Sequence, residues 1–546
     1  MILKELLEGC DFINNSFPSD RDIAGVAYDS RKVKEGHLFV AIKGERYDGH
    51  DFIPEAIKKG AIAVVGERDL RDVDIYIHVK DSRRTLACIA HNFYGKPSEN
   101  LVLIGVTGTN GKTTTTHILK SILESWGKEV GLIGTIHYMI KDTAYPAPFT
   151  TPESLEFHGL LKDMISAGCT HVISEVSSHA LEQRRVDGAV FKVAAFTNLT
   201  RDHLDFHKTM ENYFRAKERL FRELLDKDGT CVINMDDPYG KRITSELGSA
   251  SGGQDLELRR ILTYGLEDGA DIIAREINPS AGGLKFKISF RGRSYDVSSP
   301  IMGLPNVYNI MSAAGVSISL GVPWQIILEG IRKTGSVTGR FEKVDLGQNF
   351  LCLIDYAHTE DALERLICAA RELLKKSLVN SQIPPHPPLL KGGMGGVSTL
   401  NSELRTLNSS PRIITVFGCG GDRDRGKRPK MGAVATRLSD LVILTSDNPR
   451  SEEPSDIIQE IEEGVVRRNY IKEPDRREAI RKAVNLACDR DIILIAGKGH
   501  EDYQEIKGTR YRFNDREILE EAIKDKLRNQ GENEHCGCSG MRLKEF

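Results

Sequence analysis

The residues Gly108-Thr-Asn-Gly-Lys-Thr-Thr114 follow an apolar run, Leu101 to Val106, and lead into a helical pattern. That order of residue types suits a nucleoside triphosphate. Glycines let backbone N–H groups curl around phosphate oxygens, and the following helix adds the positive end of its dipole. Lys112 can reach the β- and γ-phosphates, and the Thr113 hydroxyl can hold Mg²⁺. Gly108, Thr109, Asn110, Gly111, Lys112, Thr113 and Thr114 are therefore the candidate ATP contacts. The match to Gly-x-x-x-x-Gly-Lys-[Ser/Thr] is offset, because its first glycine would fall on Val106, between Gly105 and Gly108. A glycine-rich strand-to-helix turn is the plain alternative.

Two further loops carry chemistry-grade side chains. Ser174-Glu-Val-Ser-Ser-His179 closes an apolar strand with Glu175, a hard oxygen donor suited to Mg²⁺. Thr197-Asn-Leu-Thr-Arg-Asp-His-Leu-Asp205 sets His203 between Asp202 and Asp205. Alone, Glu175 could be an ion-pair partner and His203 a helix cap; on one sheet edge with the phosphate loop they point to a metal–phosphate site. Lys217 stands out by its placement. Tyr213, Phe214, Leu220 and Phe221 lie three or four residues from it, so Lys217 falls on the apolar helix face while Arg215 and Arg219 do not. A lysine there snorkels, finds a partner or loses its charge. A neutral amine could take up CO₂ and become a carbamate, a carboxylate-like ligand. Further along, Gly418-Cys-Gly-Gly-Asp-Arg-Asp-Arg-Gly-Lys-Arg-Pro429, Asp447-Asn-Pro-Arg450 and Gly497-Lys-Gly-His-Glu501 combine arginines with carboxylates on loops. Guanidinium forks suit carboxylates and a glutamate suits an ammonium, which describes a pocket for a zwitterion. A structural salt-bridge network is the bland alternative.

The elements that must position these loops repeat one grammar. Strands are expected at Gly36–Gly44 and 61–65, then at Thr170–Val176, Lys192–Thr197 and Thr230–Asn234, with helices between them. A second series, Phe350–Asp355, Arg412–Phe417, Asp440–Thr445 and Asp491–Ala496, runs into polar loops carrying glycine or proline. Alternating strands and helices predict an α/β fold with parallel sheets covered on both faces, with sites at the strands' carboxyl ends. The 546 residues divide into an N-terminal domain at 1–98, a central domain at 99–335 and a third at 336–527. Residues 377–411, with Pro384-Pro-His-Pro-Pro388 and Gly392-Gly-Met-Gly-Gly396, exceed a normal connection and are expected to be a disordered insertion. The tail at 528–546, with His535-Cys-Gly-Cys538, is expected to be disordered; it offers too few ligands for a structural metal site.

A net charge of −3 gives no global case for nucleic acid or a membrane surface, and no apolar run reaches the ~18 residues of a membrane span. The acidic residues within the first ten do not suit a secretory signal. Single cysteines in apolar segments (Cys88, Cys169, Cys231, Cys368, Cys488) fit reduced core residues, and a cytoplasmic location is expected.

These motifs, with Asp29-Ser-Arg31, Thr150-Thr-Pro152, Ala216-Lys217 and Asp355-Tyr-Ala-His358, resemble the Mur ligases, ATP-dependent amide-forming enzymes of peptidoglycan synthesis. The resemblance runs from about Val26 to Ile523, and it places the family's phosphate loop at Gly108, which removes the offset. It implies a central P-loop ATPase domain and a Rossmann-like C-terminal domain. The implied reaction joins meso-diaminopimelate to UDP-MurNAc-L-Ala-D-Glu, using ATP and Mg²⁺, in a monomer. By resemblance, Ser30 contacts the UDP-sugar, and Thr150, Thr151, Ser177, Gln183 and Arg185 hold the muramoyl-dipeptide. Lys217 becomes a carbamylated lysine and, with Thr113, Glu175 and His203, a metal ligand. Lys112, Glu175, His203 and Lys217 form the catalytic set. Asn306, Asn309, Arg340 and Asp355 face ATP. Arg423, Asp447, Asn448, Pro449, Arg450, Gly497 and Glu501 select the amino acid. The Asp-Asn-Pro-Arg form goes with diaminopimelate in that family, and Arg450 with Arg423 can meet the carboxylate that lysine lacks.

Overall fold

A computed structural model describes residues 1–13, 20–44, 47–70, 73–248, 260–380 and 410–536, without the side chains of 377–380 and 531–536. Each of three successive regions builds its own sheet. The N-terminal sheet is parallel, in the order Gly25–Ala27, His37–Val40, Ala61–Gly66, Tyr76–His78.

The central sheet has eleven strands, and the phosphate strand Val102–Thr107 lies inside it, between Phe191–Phe196 and His171–Glu175. Its alternating side chains explain why it is buried on both faces. Ile104 and Val106 pack with the helices Lys112–Ser125, Pro305–Ser319 and Trp324–Lys333 through Ile118, Ile122, Ile310 and Ile327. Leu103 faces the opposite layer, with Phe157 and Leu161 of Ser154–Ser166 and Phe214 and Leu220 of Met210–Arg222. The expected parallel sheet holds only for the middle. The pairs Ile272–Ser280 with Gly283–Phe290 and Val130–Ile133 with His137–Ile140 turn antiparallel, and hairpins carry both edges outward. Strands such as Arg293–Ser299 need no helical crossover, because adjacent antiparallel strands join through tight turns.

The third sheet runs Glu342–Val344, Leu351–Asp355, Ile492–Ala496, Ile413–Phe417, Leu441–Leu444, Tyr470–Lys472, and all but its first pairing are parallel. Helices cover both faces, among them Glu360–Asn380 and Arg428–Leu438 on one and Arg476–Leu486 and Asp515–Cys536 on the other. Beneath the carboxyl ends of these strands lies a fully buried ion pair. Arg476 makes a fork to Asp515 at 2.7–2.8 Å and donates to the carbonyl of Ala496 at 3.0 Å.

Two segments expected to be disordered start within helices. The helix Glu360–Asn380 passes the insertion's expected start at 377, and the helix Asp515–Cys536 overruns the tail's start at 528. Residues 381–409 and Cys538 lie outside the described residues. The cysteine reading also needs correction: Cys368 and Cys488 are exposed, and Cys88 is not solitary, since its Sγ lies 2.7 Å from that of Cys10. Sequence separation hid that pair.

Candidate active site

The phosphate loop is shaped by contacts that only glycine permits. Gly108 has φ +147°, and a Cβ there would meet Thr197 Oγ1 at 1.9 Å. Gly111 has φ +89°, and a Cβ would meet Asn309 Oδ1 at 2.3 Å. Asn309 thus sits directly over the loop, held by Asn306, whose Oδ1 accepts from Asn309 Nδ2 at 2.7 Å. The loop is tied to the neighbouring strand-end loop as well. Asn198 Oδ1 accepts from the Asn110 N–H at 2.9 Å, and Thr109 Oγ1 lies 3.1 Å from the Tyr213 hydroxyl. Thr114, in the first helical turn, is buried.

Lys112 and Lys217 converge on one oxygen. Lys112 Nζ donates to the carbonyls of Gly108 and Thr109, and Lys217 Nζ donates to that of Gly108, each at 2.9 Å. Lys217 is 1 % exposed and does not snorkel. Burial, and then the charge of Lys112, push its amine well below the ordinary lysine range. Burial lowers Lys112 too, against the opposing pull of Glu175.

Thr113 and Glu175 are brought together: the hydroxyl donates to Glu175 Oε2 at 3.0 Å, while Thr135 donates to both carboxylate oxygens, each at 2.9 Å. A hydroxyl beside a buried carboxylate is an all-oxygen donor set, which fits Mg²⁺ and its preference for one or two carboxylates plus phosphate. Among the described residues no group of three or more His, Cys, Asp or Glu side chains is placed to hold a metal. His203 turns instead to Asp202, at 3.2 Å, and stacks edge-on against His179 at 4.7 Å. Burial depresses His203 to about 3. Burial alone would raise Asp202, but His203, His358 and Lys427 outweigh it and hold that carboxyl at about 2.

The third domain closes on this edge. Arg340 Nη2 donates to Thr113 Oγ1 at 3.2 Å, with its guanidinium over the Tyr356 ring at 4.7 Å. Asp355 accepts from the N–H groups of Phe341 and Ala357 at 2.7 and 2.8 Å, so it shapes the Arg340 turn; burial raises its carboxyl. Asp361 was missed by sequence reasoning. Its Oδ2 accepts from Asn110 Nδ2 at 3.2 Å and from Thr200 Oγ1 at 3.1 Å. Asp424 lies 3.4 Å from Arg201, and His358 lies 3.8 Å from Asp202. An acidic residue in the first turn of a helix reads as a dipole partner, so nothing local distinguishes Asp361.

Thr150, Thr151, Ser177, Gln183 and Arg185 form a second cluster beside Glu175. Thr151 Oγ1 donates to the Glu175 carbonyl at 2.8 Å and accepts from the Ser177 N–H at 3.1 Å. Arg185 donates to the Thr151 carbonyl at 3.0 Å and to Gln183 Oε1 at 2.6 Å, and the Thr150 and Thr135 hydroxyls meet at 3.1 Å. Ser30 lies apart in the N-terminal domain, donating to Glu55 at 3.2 Å. Tyr28 spans the gap, its hydroxyl 3.0 Å from both oxygens of Glu156.

The arginine- and glutamate-bearing loops of the third domain also meet. Asn448 Nδ2 donates to Glu501 Oε2 at 2.8 Å. Arg450, at φ +52°, donates to the Gly421 carbonyl at 2.6 Å and lies 3.8 Å from Glu505. A Cβ on Gly420 would fall 2.9 Å from Arg450 Nη1 and 3.7 Å from Arg423 Cγ, so the two arginines flank one glycine. A Cβ on Gly497 would meet Asp447 Oδ2 at 2.6 Å. Pro449 backs onto Gly421, whose Cβ would strike the Pro449 carbonyl. Burial, reinforced by Asp447, raises the carboxyl of Glu501.

Three family patterns cover this architecture: the Mur ligase catalytic domain at residues 22–94, the Mur ligase middle domain at 106–317 and the Mur ligase glutamate ligase domain at 395–499. A protein of Clostridium botulinum named UDP-N-acetylmuramoyl-L-alanyl-D-glutamate--2,6-diaminopimelate ligase is 42 % identical over 512 residues, 92 % of this chain and 96 % of that protein. The chain belongs to the Mur ligase family. A like-named protein of Aquifex aeolicus is 41 % identical over 92 % of this chain and 94 % of its own length. A solved structure with that ligase's name matches with TM-score 0.64 and 31 % identity, covering 96 % of this chain and 99 % of the other. The MurF ligase of Thermotoga maritima in complex with ADP shares the fold, with TM-score 0.58 and 20 % identity over 92 % and 98 % of the two chains. The Mur ligase architecture of N-terminal, central ATPase and C-terminal domains accounts for the three sheets, and the chain is an ATP-dependent ligase.

Proposed function

We propose that this Mur ligase joins meso-diaminopimelate to the D-glutamate γ-carboxylate of UDP-MurNAc-L-Ala-D-Glu in the cytoplasm, as a monomer, using ATP and Mg²⁺. The observation that carries the reading is the meeting of three sites at adjoining strand ends: the phosphate loop, the Thr151–Arg185 cluster beside Glu175, and the Asn448–Glu501 pocket. The division into domains at 1–98, 99–335 and 336–527 is supported by the separate sheet that each region builds. No helix among the described residues is long and apolar enough to cross a membrane.

In this reading Gly108 to Thr114 cradle the phosphates, and Arg340 and Lys112 bring positive charge to the γ-phosphoryl group. Asn306 and Asn309 wall the loop, and Asp355 fixes Arg340. Thr113, Glu175, His203 and a carbamylated Lys217 would hold Mg²⁺, which neutralises phosphate charge when bound. The buried, charge-depleted amine of Lys217 suits addition to CO₂, since only a neutral amine is nucleophilic. Arg185 and Thr151 orient the dipeptide so that its carboxylate attacks the γ-phosphorus, and ADP leaves. Ser30 anchors the UDP-sugar end. Glu501, its carboxylate held by Asn448, receives the ammonium end of the amino acid, while Arg450 and Arg423 meet the carboxylate that lysine lacks. The free amine then attacks the acyl phosphate; the C–N bond forms, inorganic phosphate leaves and a proton is released. Closure through Arg340 and Asp361 excludes water, which would hydrolyse that intermediate.

Phosphate release from ATP and Mg²⁺ with UDP-MurNAc-L-Ala-D-Glu, compared with meso-diaminopimelate and with L-lysine, tests this. Release with diaminopimelate alone is expected. Release with lysine alone would discard the arginine argument, and release with neither would discard the ligation.

A further inference from the structure

Lys498 is fully buried in the floor of the amino-acid pocket, yet it was not among the residues singled out from the sequence. Its Nζ donates to Asn448 Oδ1 at 3.1 Å and lies 3.3 Å from Glu501 Oε2, with the Tyr503 ring 5.5 Å away. Asn448 Oδ1 also accepts from the Glu505 N–H at 2.9 Å, and Asn448 Nδ2 donates to Glu501 Oε2 at 2.8 Å. We infer that Lys498 is a positioning residue for the amino-acid substrate, orienting the Asn448 amide and keeping Glu501 ionised to receive the substrate's ammonium group.

An ammonium has three donors and no acceptor, so it fixes which end of Asn448 faces it. With Oδ1 held by Lys498 and by the Glu505 N–H, Nδ2 must point at Glu501. Glu501 then has Oε2 occupied by two internal donors, leaving Oε1, which has only the Tyr356 hydroxyl at 3.4 Å, directed to the incoming ligand. The charge balance agrees. Asp447 stands on the adjoining loop, where its charge opposes ionisation of Glu501, and Lys498 favours it. Of the other cations, Arg476 acts on Glu501 and Asp447 through space from its fork to Asp515, whereas Lys498 touches Glu501 directly. Tyr356 and Tyr503 are neutral, and Arg450 is engaged with Gly421 and Glu505. A buried lysine whose only polar partners are two substrate-selecting side chains has no separate structural task, since no ion pair to the scaffold is made through it among the described residues.

This inference rests on the ligase reading and extends it to a residue that touches the selecting groups instead of the substrate. Its test is steady-state kinetics of Lys498→Met, Glu501→Gln and the double variant, with diaminopimelate and ATP varied separately between pH 6 and 9. Lys498→Met is expected to raise KM for diaminopimelate by about 10- to 100-fold. KM for ATP should stay within about twofold, because the phosphate loop lies on another domain. Without Lys498, Glu501 takes up a proton at higher pH, so KM for diaminopimelate should climb as pH falls below neutrality. In the Glu501→Gln background, Lys498→Met should add little. Equal rises in both KM values, or additive effects with an unchanged pH profile, would overturn the inference. If Lys498→Met does not fold, Lys498→Gln, which keeps one donor to Asn448, is read the same way, with an intermediate rise expected. Absence of diaminopimelate-dependent phosphate release by the unmodified protein would overturn the ligase reading and this inference together; a normal unmodified protein with indifferent Lys498 variants would overturn this inference alone.

Discussion

The phosphate loop and the amino-acid pocket solve recognition in opposite ways. The first is built from backbone: glycines at φ +147° and +89°, carbonyls and N–H groups, and a helix start, with Lys112 as its main side chain. The second is built from side chains on loops separated by up to 80 residues, from Gly421 to Glu501, in which each charge is held by another. A backbone site writes itself into a short contiguous motif. A side-chain site writes only its residue types, and the pairings must be seen in three dimensions.

That contrast can be broken experimentally. Lys112→Ala should reduce turnover by at least about 10³-fold, since charge stabilisation during phosphoryl transfer has no substitute there; activity near that of the unmodified protein would remove the loop from the chemistry. Gly108→Ala should come next, with loss of ATP binding in calorimetry, because the added methyl collides with Thr197 and the adjoining backbone. In the other region, Arg450→Ala should raise KM for diaminopimelate by about 10²-fold and leave KM for ATP nearly unchanged. Equal effects would show that the two sites are not separable.

Acid should act on the central domain through its buried histidines. Burial depresses His158 to about 3 and His171 to about 4, below the value near 6.5 of an unfolded chain. The unfolded state therefore binds more protons between these limits. Stability should be level above about pH 7 and fall below 6.5 by about 1.4 kcal/mol per pH unit for each such ring. Thermal midpoints across pH 4–8 would check this, and His158→Gln should flatten the slope. The smallest effect belongs to Arg201→Ala, which removes a partly exposed pair with Asp424 between domains and should cost no more than about 1 kcal/mol.

Sequence legibility followed the same division. Lys217 could be placed on an apolar helix face from its spacing to Tyr213, Phe214, Leu220 and Phe221, and it is buried there. Glu175 was legible as the end of an apolar strand, and the expected strands fell within a residue or two of the observed ones, apart from Gly36–Gly44, which is cut to His37–Val40, and Leu225–Asn234, which starts earlier. Asn306 and Asn309 were assigned only through resemblance, since two asparagines in a helix carry no pattern that points at a glycine two hundred residues away. Lys498 was given no role between Gly497 and Glu501, because burial of a lysine on a loop has no periodic signal. The antiparallel edges of the central sheet were invisible for a similar reason: their one-sided strands read as polar as often as apolar.

The buried pair of Arg476 and Asp515 bears on how the molecule is made. Arg476 reaches the carbonyl at the end of the strand Ile492–Ala496, and its carboxylate partner begins the last helix. During synthesis the phosphate loop and its sheet leave the ribosome before the third domain. The floor of the amino-acid pocket stays without its counter-ion until Asp515 emerges, several seconds after Asp447 at roughly 5–20 residues per second. The nascent chain therefore completes its nucleotide-handling half well before it can bind an amino acid, and ligation begins only once the final helix is in place.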